Sequence, residues 1–362
     1  MTVISDYKTV PVLRDATFPN DLEAIVSDPA NHTLEVVIGL TDVSDVAAFT
    51  DPQGGLEVAR AALGLAGVLP TRRPDWLRAH VRGFSVSASR LRGVGAVVDS
   101  GFMFSLAFRF LKAIPGDHLT ERADLSRRVG YLYFQLGALK DGLKHAEQSK
   151  LDFERTGDRH GVGCSLVCRG TARAHMRHFD RATEDFRSAL SLLDPDLGFN
   201  HVWAASINLA LALVDGASDS RDLEEGVRQL HRTKLLRSYK QHTIPCLSML
   251  WAEARLLMKL GRHALAQENL REVRVGWRGL DLPYEETITS LDLARCYFEQ
   301  NLLAENVQLA GEMFPLFTRF RQQDPQAYRA LIAFHQATLR GGLRPSLIAE
   351  ARAAVEVRGL VA

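Results

Sequence analysis

Apolar positions recur every three or four residues through most of the chain, in runs of helical length closed by Gly, Pro, Asn or Asp. The stretch TGDRHGVGCSLVCRGTARAHMRHFDRATEDFRSALSLLDP, residues 156–195, shows the unit most clearly. A Gly-Asp break opens a helical run centred on Gly170, and a short polar break follows. A second run carries Ala182, Phe186 and Ala189 and stops at Pro195. This pattern predicts a helical hairpin, and the hairpin recurs. Small residues stand at Gly130, Gly170, Ala210, Ala254 and Ala294, spaced 40, 40, 44 and 40 residues apart. A second column holds Gly142, Ala182, Gly226, Ala266 and Asn306, spaced 40, 44, 40 and 40, with Asn306 as its exception. The four extra residues fit an insertion near Gly216–Ser220. Gly137, Gly261 and Asn301 fall seven residues after the first column, where a left-handed residue ends a helix at little cost. Arg177 and Ala217 depart from that rule.

Two antiparallel helices approach closely only where a side chain is nearly absent. Large neighbours such as Tyr133, Leu213, Leu257 and Tyr297 then fill the remaining gap. The expected fold is all-α: a superhelical solenoid of antiparallel helix pairs with degenerate caps at both ends. Residues 119–322 form the repeat core and residues 51–118 a degenerate helical region, with helices at Pro52–Leu69, Pro74–Leu91 and Val97–Ile114. Residues 323–362 are expected to cap the array with helices at Pro325–Leu339 and Pro345–Val357. Phe334 breaks the register there, because it stands where a small residue is expected. Residues 1–50 have no clear assignment: Leu34–Leu40 reads as a strand or a short helix, and Asp42–Phe49 as a helix.

The Gly/Ala, Ala, Phe/Leu and Ala columns, best seen in Gly170, Ala182, Phe186, Ala189 and Pro195, resemble the tetratricopeptide repeat family. The usual period there is about 34 residues, and the spacing here matches the longer type. Such repeats occur in kinesin light chain, in Pins-type spindle adaptors and in many bacterial regulators. Thr156-Gly157-Asp158-Arg159 with Gly161 looks like the turn that often opens them. The resemblance implies a protein–protein interaction module, a scaffold or regulatory subunit, that binds a peptide or protein segment on its concave face.

Composition adds exclusions. The chain has 362 residues, 46% hydrophobic and 24% charged, as in folded proteins. Lys and Arg total 44 against 43 Asp and Glu, so no net field draws nucleic acid or an anionic membrane. The start lacks a basic segment leading into an apolar run, and no apolar stretch approaches a membrane span. Four cysteines in this length make no disulfide framework. A cytoplasmic, reduced protein is expected.

Candidate chemistry is sparse. Cys164, Cys168, His175 and His178 suggest a metal site by spacing. A helix, however, puts residues 164 and 175 about 16 Å apart, too far for one tetrahedral ion. Two buried thiols and two surface histidines are the preferred reading, and Cys246 and Cys296 read as packing residues. No nucleophile–base constellation, zinc-protease motif or phosphate loop is readable, so neither an enzyme nor a cofactor is expected. The densest basic stretch, Arg228–Lys240, reads as a solvated helix end.

In the family resembled, the exposed side of each first helix lines the peptide groove. Counted along the copies, that face carries Arg127, Arg128, Tyr131, Gln135, His175, Asn208, Trp251, Arg255, Lys259, Arg295 and Glu299. Asn208 falls where the family often has an asparagine that holds the ligand backbone. Five cations against one acid point to an acidic peptide or protein surface, with Trp251 and Tyr131 as apolar anchors. The competing reading makes Trp251 core and the cations solvated. Two rival functions stay open. One is the sensor or effector part of a bacterial transcriptional regulator, although Leu34–Asp51 is acid-rich and contains no Lys or Arg. The other is a helical substrate or inhibitor partner of a protease, with Asp215–Arg221 as an exposed loop.

Overall fold

The computed structural model describes residues 10–356 apart from residues 15, 17, 19, 70–72, 196, 198, 219 and 235–241. The described residues form eighteen α-helices, one short 3-10 turn at Pro29–Asn31 and no strand. Consecutive helices pack as antiparallel pairs, so the fold is the all-α hairpin array expected. No helix among the described residues is long and apolar enough to cross a membrane. The expected basic stretch Arg228–Lys240 and the loop Asp215–Arg221 fall partly outside the described residues.

The chain divides into two compact units: residues 1–134 with 138–205, and residues 135–137 with 206–362. The first holds α1 (Pro11–Arg14), α2 (Leu22–Ser27), α3 (Leu34–Ala47), α4 (Pro52–Val68), α5 (Arg73–Gly93) and α6 (Val97–Ala113). It continues through most of α7 (Leu119–Gln135), α8 (Leu139–Thr156), α9 (Arg159–His175), α10 (Phe179–Leu192) and the start of α11 (Phe199–Gly216). The second holds the rest of α11, α12 (Ser220–Lys234), α13 (Thr243–Lys259), α14 (His263–Gly279) and α15 (Pro283–Glu299). It ends with α16 (Leu303–Gln323), α17 (Pro325–Leu339) and α18 (Pro345–Glu356).

The strand-or-helix ambiguity at Leu34–Leu40 resolves as one continuous helix, α3, which also absorbs most of Asp42–Phe49. Its β-branched run invites a strand reading. Two observations decide against it: Thr33 caps the helix by accepting the Val36 amide at 3.3 Å, and Val36, Val37, Leu40 and Val43 are buried with the faces of α1 and α4. Asp51 and Asp324 cap α4 and α17 in the same way, each followed by a proline at the first helical position.

The small-residue columns lie inside. Ala182, Ala210, Ala254, Ala266 and Ala294 are fully buried. A Cβ at Gly142 would strike the Phe134 ring and stand 2.8 Å from the Gly130 carbonyl oxygen. A Cβ at Gly170 would stand 2.7 Å from Phe186. Backbone there touches its neighbour, so a larger residue must push the helices apart.

At the C-terminal end, α17 packs on α16, and α18 packs on both α15 and α17. The helix laid along α15 therefore presents Ile348, Ala351 and Val355, all buried. Phe334 of α17 is itself fully buried in the same core with Phe317 and Phe320. This is why the small-residue register stops before Phe334.

Candidate functional site

In the first unit, an ion cluster of buried and half-buried side chains joins α3, α5 and α7. The Asp124 carboxylate accepts Arg127 Nη2 at 2.6 Å and Arg128 Nε at 2.8 Å. Arg128 also reaches back to Asp45 of α3 at 3.0 Å and to the Ser89 hydroxyl at 3.3 Å. Arg90 stands 3.2 Å from Asp45. Arg82 donates to Asp42 at 2.5 Å and to the Thr41 hydroxyl at 3.0 Å.

Burial opposes ionisation of both Asp45 and Asp124, but the surrounding guanidinium groups outweigh it. Arg128 and Arg90 hold Asp45, and Arg128 and Arg127 hold Asp124, well below the ordinary carboxylate range. Asp42 goes the other way: its burial outweighs Arg82, and its pKa rises to about 6. Arg92 lies over the Tyr131 ring, 5.4 Å from its centroid, and burial pushes the Tyr131 hydroxyl upward.

Arg127, Arg128, Tyr131 and Gln135 are thus buried, and the two arginines are paired with acids of the same chain. Asp124 stands three and four residues before the two arginines on α7, a spacing readable in the sequence, whereas Asp45 comes from α3, 83 positions away, and no local spacing announces it. Cys168 donates to the Arg127 carbonyl oxygen at 3.5 Å, and burial raises the thiols of Cys164 and Cys168 to about 12. His175 is half-buried at the end of α9, and His178 is exposed.

In the second unit, α13 carries Trp251, Arg255 and Lys259 one turn apart, on one stripe. The Arg255 guanidinium stacks on the Trp251 ring at 5.0 Å and donates to Asp215 at 2.6 Å. Lys259 donates to the Asp215 carbonyl oxygen at 3.4 Å. The Trp251 indole donates to Asp292 of α15 at 2.9 Å, and Arg352 of α18 donates to the other oxygen of Asp292 at 2.6 Å. Trp251 is half-buried, so it is both a packing residue and part of this surface.

Arg295 is exposed, 3.9 Å from Glu299. Asn208 of α11 is half-buried, and its amide nitrogen has no hydrogen-bond partner among the described residues. Asp215 and Asp292 are the residues that sequence reasoning missed here. Their signal was available: each stands about forty positions from its partner on α13, the interval of the small-residue columns.

No family model matches this sequence, and no curated protein matches it. Solved structures do. A Rap protein complexed with Competence and Sporulation Factor has a TM-score of 0.68 at 11% identity, over 90% of this chain and 88% of that one. The Rap conjugation gene regulator of the plasmid pLS20, in complex with the Phr* peptide, has a TM-score of 0.51 at 12% identity, over 95% and 97%. At such identities the likeness is one of fold: a tetratricopeptide-like array of helix pairs.

Proposed function

We propose that this chain is a peptide- or protein-binding regulator built from long-period tetratricopeptide repeats, with its binding surface on the first helices of the second unit. The helix starts support the period: Leu119, Arg159, Phe199, Thr243 and Pro283 open successive first helices. So do the polar contacts between neighbouring first helices, which join residues 40 or 41 apart at Asp42–Arg82, Asp215–Arg255 and Trp251–Asp292. Both structural relatives were solved with a bound factor or peptide, and one is a gene regulator by name. A regulatory role is therefore favoured over a protease partner, and a binding role over catalysis.

The observation that carries the reading is the buried Asn208 amide nitrogen, without a hydrogen-bond partner among the described residues, at the position from which the tetratricopeptide repeat family often holds a ligand backbone. Lys259 and Arg295 are exposed cations on the first helices, and they favour an acidic side chain on the partner. Arg127 and Arg128 already have acids of their own and leave the set. A peptide array screened against the purified chain, followed by calorimetry on the best binder, tests this. Asn208→Ala should weaken binding about tenfold, or 1.4 kcal/mol, and Lys259→Glu with Arg295→Glu should weaken acidic binders selectively. Binders insensitive to all three substitutions would place the surface elsewhere.

A further inference from the structure

We propose a thiophilic metal site in the first unit, formed by His160, Cys164 and His201. One ligand atom from each lies within 4.8 Å of the other two. The trio is assembled from two helices. Gly157, with φ +72°, ends α8, and Asp158 caps α9 by accepting the Gly161 amide at 2.8 Å. That start places His160 and Cys164 one turn apart on α9, the spacing that puts two ligands on one helix face. His201 comes from the first turn of α11, its ring centroid 5.7 Å from that of His160. Cys164 and His160 are buried, and His201 is half-buried.

Two imidazoles and one thiolate suit Cu+ or Zn2+ and not Mg2+ or Ca2+. Ligand atoms around a tetrahedral ion stand about 3.5 Å apart, so closure by about 1 Å completes the site. Arg127 lies close enough to act electrostatically on both Cys164 and His201. Arg127 is itself paired with Asp124 at 2.6 Å, so its charge does not choose between the two ions. Cu+ with one thiolate adds no net charge to a buried site, whereas Zn2+ adds one positive charge, so burial favours Cu+.

Loading releases the Cys164 proton to solvent. It also changes His160. In the metal-free protein His160 Nδ1 accepts the Asp194 backbone amide at 3.1 Å, which puts the ring proton on Nε2. If Nδ1 takes the metal, its lone pair is used; if Nε2 takes it, the proton moves to Nδ1. Either way the Asp194 amide loses its acceptor, and its NMR signal reports occupancy.

The full chain is titrated anaerobically with Cu+ against a coloured Cu+ chelator, with circular dichroism to check the fold of each variant. One equivalent should bind, X-ray absorption should show one sulfur and two nitrogen ligands, and the Asp194 amide signal should shift. Cys164→Ser and His201→Gln should each lower affinity at least about tenfold, whereas Cys168→Ser should leave it unchanged. His201→Gln alters a half-buried residue, so it keeps the test readable if the Cys164 variant fails to fold. Absent stoichiometric binding, or equal loss in the Cys168 variant, overturns the proposal.

Discussion

The least comfortable residue in the fold is Asn306. It stands on α16 in a column otherwise held by Gly142, Ala182, Gly226 and Ala266, and it is 1% exposed. Neither its amide nitrogen nor its carbonyl oxygen has a hydrogen-bond partner among the described residues. A buried amide left unpaired costs about 1–3 kcal/mol, which Ala at the same place avoids. Asn306→Ala should therefore raise the unfolding free energy by about that much in equilibrium urea denaturation. A loss of stability instead would mean that Asn306 is held by a bound water or ligand. The glycines of the same column teach the reverse lesson. Gly142 has backbone against it, so no side chain fits, and its small size is a packing requirement.

At the level of elements, the turns between paired helices follow one geometry with unequal chemistry. Gly137 and Gly261 end α7 and α13 with φ of +75° and +71°. Arg177 ends α9 with φ +59°, and Asn301 ends α15 with φ +57°. Arg177, which departed from the sequence rule, thus adopts the conformation the rule describes and bears its steric cost. The left-handed region costs an L-residue about 1–2 kcal/mol, part of which Arg177 recovers by lying over the Phe179 ring at 5.3 Å. Arg177→Gly should raise the thermal midpoint by a few degrees, measured by circular dichroism. A lower midpoint would show that the Phe179 contact outweighs the strain. The terminal pair shows the other limit of element-level reading. The boundaries of α17 were legible from Pro325 and Gly341, but no local pattern announces that α18, seated by Ile348, Ala351 and Val355, brings Arg352 to Asp292, sixty residues away.

For the molecule as a whole, the ion cluster of α3, α5 and α7 makes stability depend on pH in two opposed ways. Asp45 and Asp124 have depressed folded pKa values, so their stabilisation is fully present above the unfolded value near 4 and is lost progressively as pH falls below it and through the lower folded values. Asp42 has a folded pKa of about 6. Between about pH 4 and 6 the folded state therefore binds more protons at Asp42 than the unfolded state, and stability falls as pH rises. Asp42→Asn removes that second term. Urea unfolding at pH 4.5 and pH 7 should show the gap between variant and wild type moving toward the variant by about 2 kcal/mol at the higher pH. A gap independent of pH would mean that Arg82 keeps Asp42 ionised throughout.

The sequence by itself determined the helical hairpins, their small-residue contacts and the turn that opens α9, because each depends on side-chain size or backbone conformation within one hairpin. It placed Asn208, Trp251, Lys259 and Arg295 on first helices by the same periodicity. Only the tertiary structure decided that α3 is a helix, that Asp45 joins Asp124 in holding Arg128, and that His201 comes to His160 and Cys164. The physical reason is one of range. Apolar periodicity is a local property, whereas a charge or a ligand atom is defined by whatever partner the stacking brings to it. Asp45 and Arg128 lie 83 positions apart along the chain and 3.0 Å apart in space.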